Sequence, residues 1–97
     1  MRADYDSEAD ALAITLRPFE CYDDQFEVDD DYCTVGFAAG SPVRVSLLSP
    51  AKHLYLLDTA AERYDLDGGA LLAAAQAALA TPDRVVELKV AAQIAAA

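Results

Sequence analysis

Residues 32–48 read YCTVGFAAGSPVRVSLL, and this stretch decides the fold class. Apolar side chains occupy alternate positions on both sides of a turn signal, Ala39-Gly40-Ser41-Pro42, and a period of two is typical of strands with one buried face. The stretch therefore predicts an antiparallel hairpin. Its buried side chains are expected to be Cys33, Val35, Phe37, Val43, Val45 and Leu47.

Another hairpin is predicted upstream of this one. Residues 2–5 resemble a short strand, and Leu12, Ile14 and Leu16 alternate with small or polar residues in a second strand. The acids and serine of residues 6–10 are turn formers and connect the two strands. Residues 19–31 are predicted to form an acidic loop that its aromatic side chains anchor to the body of the domain.

The hydrophobic period changes after residue 48. Ser49-Pro50 is predicted to cap and begin a helix whose apolar positions run from Leu54 to Tyr64. Asp67 is expected to cap a second helix, which ends near Pro82. The apolar stripe of the second helix is predicted to be Leu71, Leu72, Ala75 and Leu79.

Residues 85–90 alternate again, so a last strand is predicted to rejoin the sheet. The element order ββββααβ predicts an α+β fold, in which two helices pack on one face of an antiparallel sheet of two hairpins plus a C-terminal strand. Residues 1–90 are expected to form a single domain, and residues 91–97 an alanine-rich tail that is either a short helix or disordered.

The net charge of −10 is concentrated in the first third of the chain. Residues 1–31 hold eleven acids against two arginines, whereas residues 32–97 hold six acids against five bases. Such a surface repels phosphates, so binding to nucleic acid and docking on anionic membranes are disfavoured. No N-terminal signal peptide or membrane-spanning run is recognisable, and the expected location is cytoplasmic.

Residue types that carry catalysis are sparse, and an enzyme is not expected. There is a single histidine, His53, and no Gly-x-Ser-x-Gly nucleophile motif. Helical spacing places His53 near the apolar side of the first helix, where a half-buried, hydrogen-bonded ring is more common than a general base. Cys21 and Cys33 match neither a redox nor a zinc spacing, so they are expected to stay reduced, and no cofactor is predicted.

The acidic loop is the candidate interaction site. Hard carboxylate oxygens suit calcium, but neither this loop nor the stretch from Asp65 to Gly68 completes a calcium-binding loop pattern. The sequence therefore predicts a non-catalytic interaction module, with a small-ligand or calcium-binding domain as the alternative. The candidate protein-interaction residues are Asp23, Asp24, Glu27, Asp29, Asp30 and Asp31.

A homodimer is the expected assembly, with a small basic protein as a further possible partner. The sheet face away from the helices is predicted to be small and weakly polar, which suits packing against the same face of a second copy. The residues of that face are Ala11, Ala13, Thr15, Tyr32, Thr34, Gly36, Arg44, Ser46 and Leu48.

The start of the chain carries a resemblance to a known family. Tyr5, Asp6, Glu8, Asp10, Leu12, Ile14 and Leu16 resemble the Y-D-x-E-x-D-x-L-x-I-x-L start of the bacterial domain of unknown function 2283 family. The resemblance covers residues 1–50, with Ser46 where the family often has a glutamate. It implies a small, sheet-rich bacterial protein, similar to antitoxins that act beside a small basic partner, and it supplies no catalytic residues.

Overall fold

A computed structural model of the chain describes residues 1–88. One six-stranded antiparallel sheet and three helices make up this part, so the predicted α+β class is confirmed. The strands are β1 (Arg2–Asp6), β2 (Ala11–Thr15), β3 (Asp24–Asp29), β4 (Cys33–Ala38), β5 (Ser41–Leu48) and β6 (Val85–Glu87). The helices are α1 (Pro50–His53), α2 (Tyr55–Tyr64) and α3 (Gly68–Ala80).

The strands follow the order β3-β4-β5-β2-β1-β6 across the sheet. Both predicted hairpins are present, β1 with β2 and β4 with β5, and the second is closed by a tight turn at Ala39 and Gly40. Both turn residues have positive φ, at 52° and 77°, and this backbone geometry matches the right-handed twist of the flanking strands. β5 and β2 join the two hairpins in the middle of the sheet.

The prediction of a loop over residues 19–31 is wrong for its second half. Asp24–Asp29 forms β3, an antiparallel edge strand on β4, which gives five strands before the helices instead of four. Phe26 lies across from Val35 in the ladder and packs with Phe37 and Tyr64, with ring centroids 5.3 and 6.5 Å away. This aromatic cluster and pairing with β4 offset the low strand propensity of the neighbouring acids.

The first helical segment begins at Pro50, as predicted, but it is not capped as predicted. Ser49 adopts a left-handed conformation (φ 46°), and its side chain makes no capping hydrogen bond. A short break at Leu54 separates α1 from α2. The predicted cap on α3 is confirmed, because the Asp67 carboxylate accepts a hydrogen bond from the Ala70 N–H at 3.0 Å.

The buried stripe of α3 differs from the predicted one. Leu71 and Ala75 are buried as expected, but Leu72 is exposed and Leu79 only half-buried. The remaining buried positions are Ala74 and Ala78, so alanines face the sheet. Small side chains allow close helix-to-sheet approach, and in a helix with seven alanines the apolar period alone does not identify the buried face.

Helices α2 and α3 lie on one side of the sheet. The core there combines Leu12, Ile14, Val35, Val45 and Leu47 from the strands with Leu57, Leu71 and the alanines of the helices. β6 pairs with β1, so the predicted last strand rejoins the sheet. The described strand ends at Glu87, and the predictions for residues 89–97 lie outside the described residues. Within residues 1–88, no helix is long and apolar enough to cross a membrane.

Candidate functional site

The sheet face opposite the helices is here called the open face. Its side chains follow from the strand register, because residues paired across a ladder point to the same side. The first row of paired residues is Glu87, Arg2, Thr15, Arg44, Gly36 and Gln25. The second row is Val85, Asp4, Ala13, Ser46, Thr34 and Glu27.

The middle of the open face is made of small side chains. Ala11, Ala13 and Thr15 from β2 lie beside Ser46 of β5, and all four are half-buried. Larger apolar groups lie further out, where Leu48 is 48% and Val85 61% exposed. The residues predicted for this face share it, but its two paired rows also hold five charged side chains, those of Arg2, Asp4, Glu27, Arg44 and Glu87.

One loop segment covers part of the open face. The ring of Tyr22 lies directly on Gly36, so closely that a Cβ atom at this position would overlap the ring. Phe19 stacks on Tyr22, with ring centroids 5.2 Å apart. Gly36 is thus needed for a close approach, because any other residue would displace the ring.

A groove of about 400 Å³ opens beside this segment. Its lining includes Arg44 together with Thr34 and Ser46, two hydroxyl residues that lie opposite each other in the β4–β5 ladder. The Nε of Arg44 is buried and has no hydrogen-bond partner within residues 1–88. The alternation of β5 places Arg44 on this face, but no role could be predicted for it from the sequence, because the groove forms only where the Tyr22 segment packs on the sheet.

The six candidate interaction acids lie at two ends of β3 and do not form one cluster. At one end, the carboxylate of Asp23 accepts a hydrogen bond from the Ala39 N–H at 2.6 Å and holds the β4–β5 turn. At the other end, one carboxylate oxygen of Asp29 accepts hydrogen bonds from the N–H groups of Asp31 and Tyr32, at 3.0 and 3.1 Å. Asp23 and Asp29 are therefore structural turn residues.

The other four candidates, Asp24, Glu27, Asp30 and Asp31, are exposed along β3 and the following turn. The Asp30 carboxylate accepts a hydrogen bond from Glu27 when Glu27 is protonated and repels Glu27 when it is ionised, so the pKa of Glu27 is raised. Asp31 and Asp29 add to this repulsion. The turn after β3 thus concentrates negative charge at the edge of the sheet.

The acids near the N-terminus also hold turns. Asp6 accepts hydrogen bonds from the N–H groups of Glu8 and Ala9, and Asp10 accepts one from the Tyr5 hydroxyl at 2.6 Å. The Asp83 carboxylate accepts hydrogen bonds from the Ser7 hydroxyl at 2.6 Å and from the Ser7 N–H at 2.9 Å. These two bonds lower the pKa of Asp83, because they favour its ionised form.

His53 and the cysteines occupy structural environments. The Nδ1 of His53 lies 2.9 Å from the carbonyl oxygen of Ser49, and the imidazole stacks on Tyr32, with ring centroids 3.9 Å apart. A half-buried, bonded histidine is what the sequence predicted. Both cysteines are free thiols; Cys21 is exposed, whereas burial raises the pKa of the Cys33 thiol to about 11.

Among residues 1–88, no group of three or more His, Cys, Asp or Glu side chains is arranged to hold a metal ion. Comparisons with known proteins give no match: no family model fits the chain, and neither a curated protein nor a solved structure is similar to it. The resemblance of residues 1–50 to the domain of unknown function 2283 family therefore stays a prediction.

Proposed function

We propose that the protein is a non-catalytic interaction module that self-associates as a two-fold dimer through the open face. The observation that carries the proposal is the one-sided architecture of residues 1–88, in which helices pack on the other side of the sheet and the Tyr22 segment covers only a part of the open face. A sheet face of small side chains packs closely against a second sheet, and two-fold pairs are the commonest closed assembly.

The strength of this dimer follows from the size of the face. Six strands about 4.8 Å apart, each about five residues long at about 3.3 Å per residue, give a flat area of at most roughly 500 Å² per protomer, part of which the Tyr22 segment covers. Two such faces bury at most roughly 1,000 Å², which is the lower limit for a specific interface. We therefore expect a reversible dimer whose population depends on protein concentration.

The acidic edge supports a second kind of contact, with a small basic protein. Asp24, Glu27, Asp30 and Asp31 are exposed at β3, whose outer side pairs with no strand of residues 1–88. Complementary charge speeds encounter and selects partners. An antitoxin-like bacterial protein that acts in the cytoplasm fits this charge pattern and the resemblance of the first 50 residues.

A second candidate function is small-ligand binding by the same domain. The groove at Arg44 favours it, because Asp30 and Asp31 of the acidic turn line the same groove as Arg44, whose Nε atom is buried. Both candidate functions are non-catalytic.

A matched pair of variants tests self-association. Ala13→Arg places a charge in the middle of the open face, and Ala73→Arg makes the same change on the exposed side of α3. Light scattering after gel filtration should show a loss of dimer for Ala13→Arg and the wild-type mass for Ala73→Arg. A dimer that persists in a folded Ala13→Arg protein would contradict the use of this face.

A further inference from the structure

We propose that the groove beside Arg44 binds a small zwitterion in which a carboxylate lies next to a protonated amine, the chemistry of a free α-amino acid. The site uses residues of one chain and goes beyond the proposed self-association. It lies on the open face, so a second copy packed there would cover it, and binding is measured at protein concentrations at which the chain is monomeric. Three observations carry the proposal: an unpartnered arginine, two hydroxyl residues beside it, and acids at the rim.

Arg44 forms the part of the site that binds the ligand's carboxylate. It projects from β5 onto the open face, between Val43 and Val45, which point into the core. Its Nε is shielded from solvent, and within residues 1–88 nothing accepts its hydrogen. A buried donor without an acceptor is unfavourable, and a planar guanidinium pairs best with a carboxylate, which accepts two parallel hydrogen bonds.

The walls of the groove suit a compact polar ligand with an apolar body. Thr34 and Ser46 lie opposite each other, and Ser46 is two residues from Arg44 on the same strand, so both hydroxyl residues line the same groove as Arg44. The aromatic side chains of Tyr22 and Tyr32 also line the groove. Its volume of about 400 Å³ lies within the range of small-ligand sites, which is about 300–1,000 Å³.

The surrounding charge decides between a bare anion and a zwitterion. Asp30 and Asp31 border the groove, and the chain carries a net charge of −10, so an anion without a positive group is repelled. A protonated amine next to the carboxylate interacts favourably with these two acids. The combination of one arginine with two acids therefore selects a ligand that carries both charges.

Titration calorimetry and NMR with the full chain test the proposal. The probes are the free amino acids at up to about 10 mM, with acetate and methylammonium as ligands that carry a single charge. At least one amino acid should bind saturably and shift amide signals of β4 and β5, whereas acetate and methylammonium should not. If no amino acid binds, or if acetate binds equally well, the proposal is wrong.

Variants assign the binding to the groove. Arg44→Gln should weaken binding at least about tenfold, and Arg44→Lys should recover part of it, because lysine keeps the charge but not the paired donors. The double change Asp30→Asn and Asp31→Asn should weaken the binding of the amino acid without affecting the fold. Arg17→Gln, outside the groove, is the control. Undiminished binding by a folded, monomeric Arg44→Gln protein would overturn the assignment.

Discussion

Replacing Asp29 by alanine should destabilise the protein, although the change removes one of several repelling acids. One Asp29 oxygen accepts two backbone N–H groups in the β3–β4 turn, at 3.0 and 3.1 Å. Hydrogen bonds to a charged group contribute about 1.5–3 kcal/mol when buried, and partial exposure of this turn lowers the expected loss to about 1–2 kcal/mol in total. Urea denaturation followed by circular dichroism should show a midpoint about 1 M lower.

Two other substitutions separate the hydrogen bonds from the charge. Asp29→Asn keeps an oxygen acceptor and should cost much less than alanine. Asp31→Ala removes the same charge from an exposed side chain, and surface changes of this kind stay within about 0.5 kcal/mol. Equal effects of Asp29→Ala and Asp31→Ala, or no effect of either, would refute the structural role of Asp29.

Three further predictions concern other parts of the chain. Because burial raises the pKa of Cys33 to about 11, a thiol reagent at pH 8 should label only Cys21 in the folded protein and both cysteines in urea; labelling of two thiols in the native state would contradict this. The bonds that lower the pKa of Asp83 stabilise the fold above its unfolded pKa, and this contribution is lost as pH falls through the folded pKa. Asp83→Asn should therefore show a smaller drop in urea midpoint between pH 7 and pH 3 than the wild type, and an equal drop would count against the Asp83 contacts. Gly36→Ala should displace the Tyr22 ring and speed proteolysis of residues 19–23, whereas an unchanged cleavage rate would show that the ring does not depend on this glycine.

Most of the sheet could be predicted from the sequence, and the exception has a clear cause. β2, β4 and β5 alternate large apolar side chains with small or polar ones, so a period of two was sufficient for them. β3 also alternates, with Phe26 and Val28 between Gln25 and Glu27, but acids on both sides made the segment resemble a loop. Tertiary contacts of Phe26 with Phe37 and Tyr64 stabilise this strand, and such contacts are not visible in a local pattern.

The candidate site was harder to predict than the fold. The small side chains of the open face could be predicted from the alternation along the strands. The half-buried position of His53 could be predicted from its helical spacing. The groove at Arg44 could not be predicted, because it requires the Tyr22 ring to lie on Gly36, fourteen residues further along the chain. Likewise, the pattern of acids did not show that Asp23 and Asp29 hold turns, whereas Asp30 and Asp31 face solvent.

Sedimentation equilibrium of the full chain tests the central claim, self-association through the open face, most directly. The measurement should cover protein concentrations from about 1 to 100 μM, since the interface is at the lower size limit for a specific dimer. We expect the weight-average mass to rise with concentration toward twice the 10.3 kDa chain mass, and to rise further at higher salt, which screens repulsion between the acidic chains. A mass that stays at 10.3 kDa over this whole range, at both low and high salt, would contradict the account.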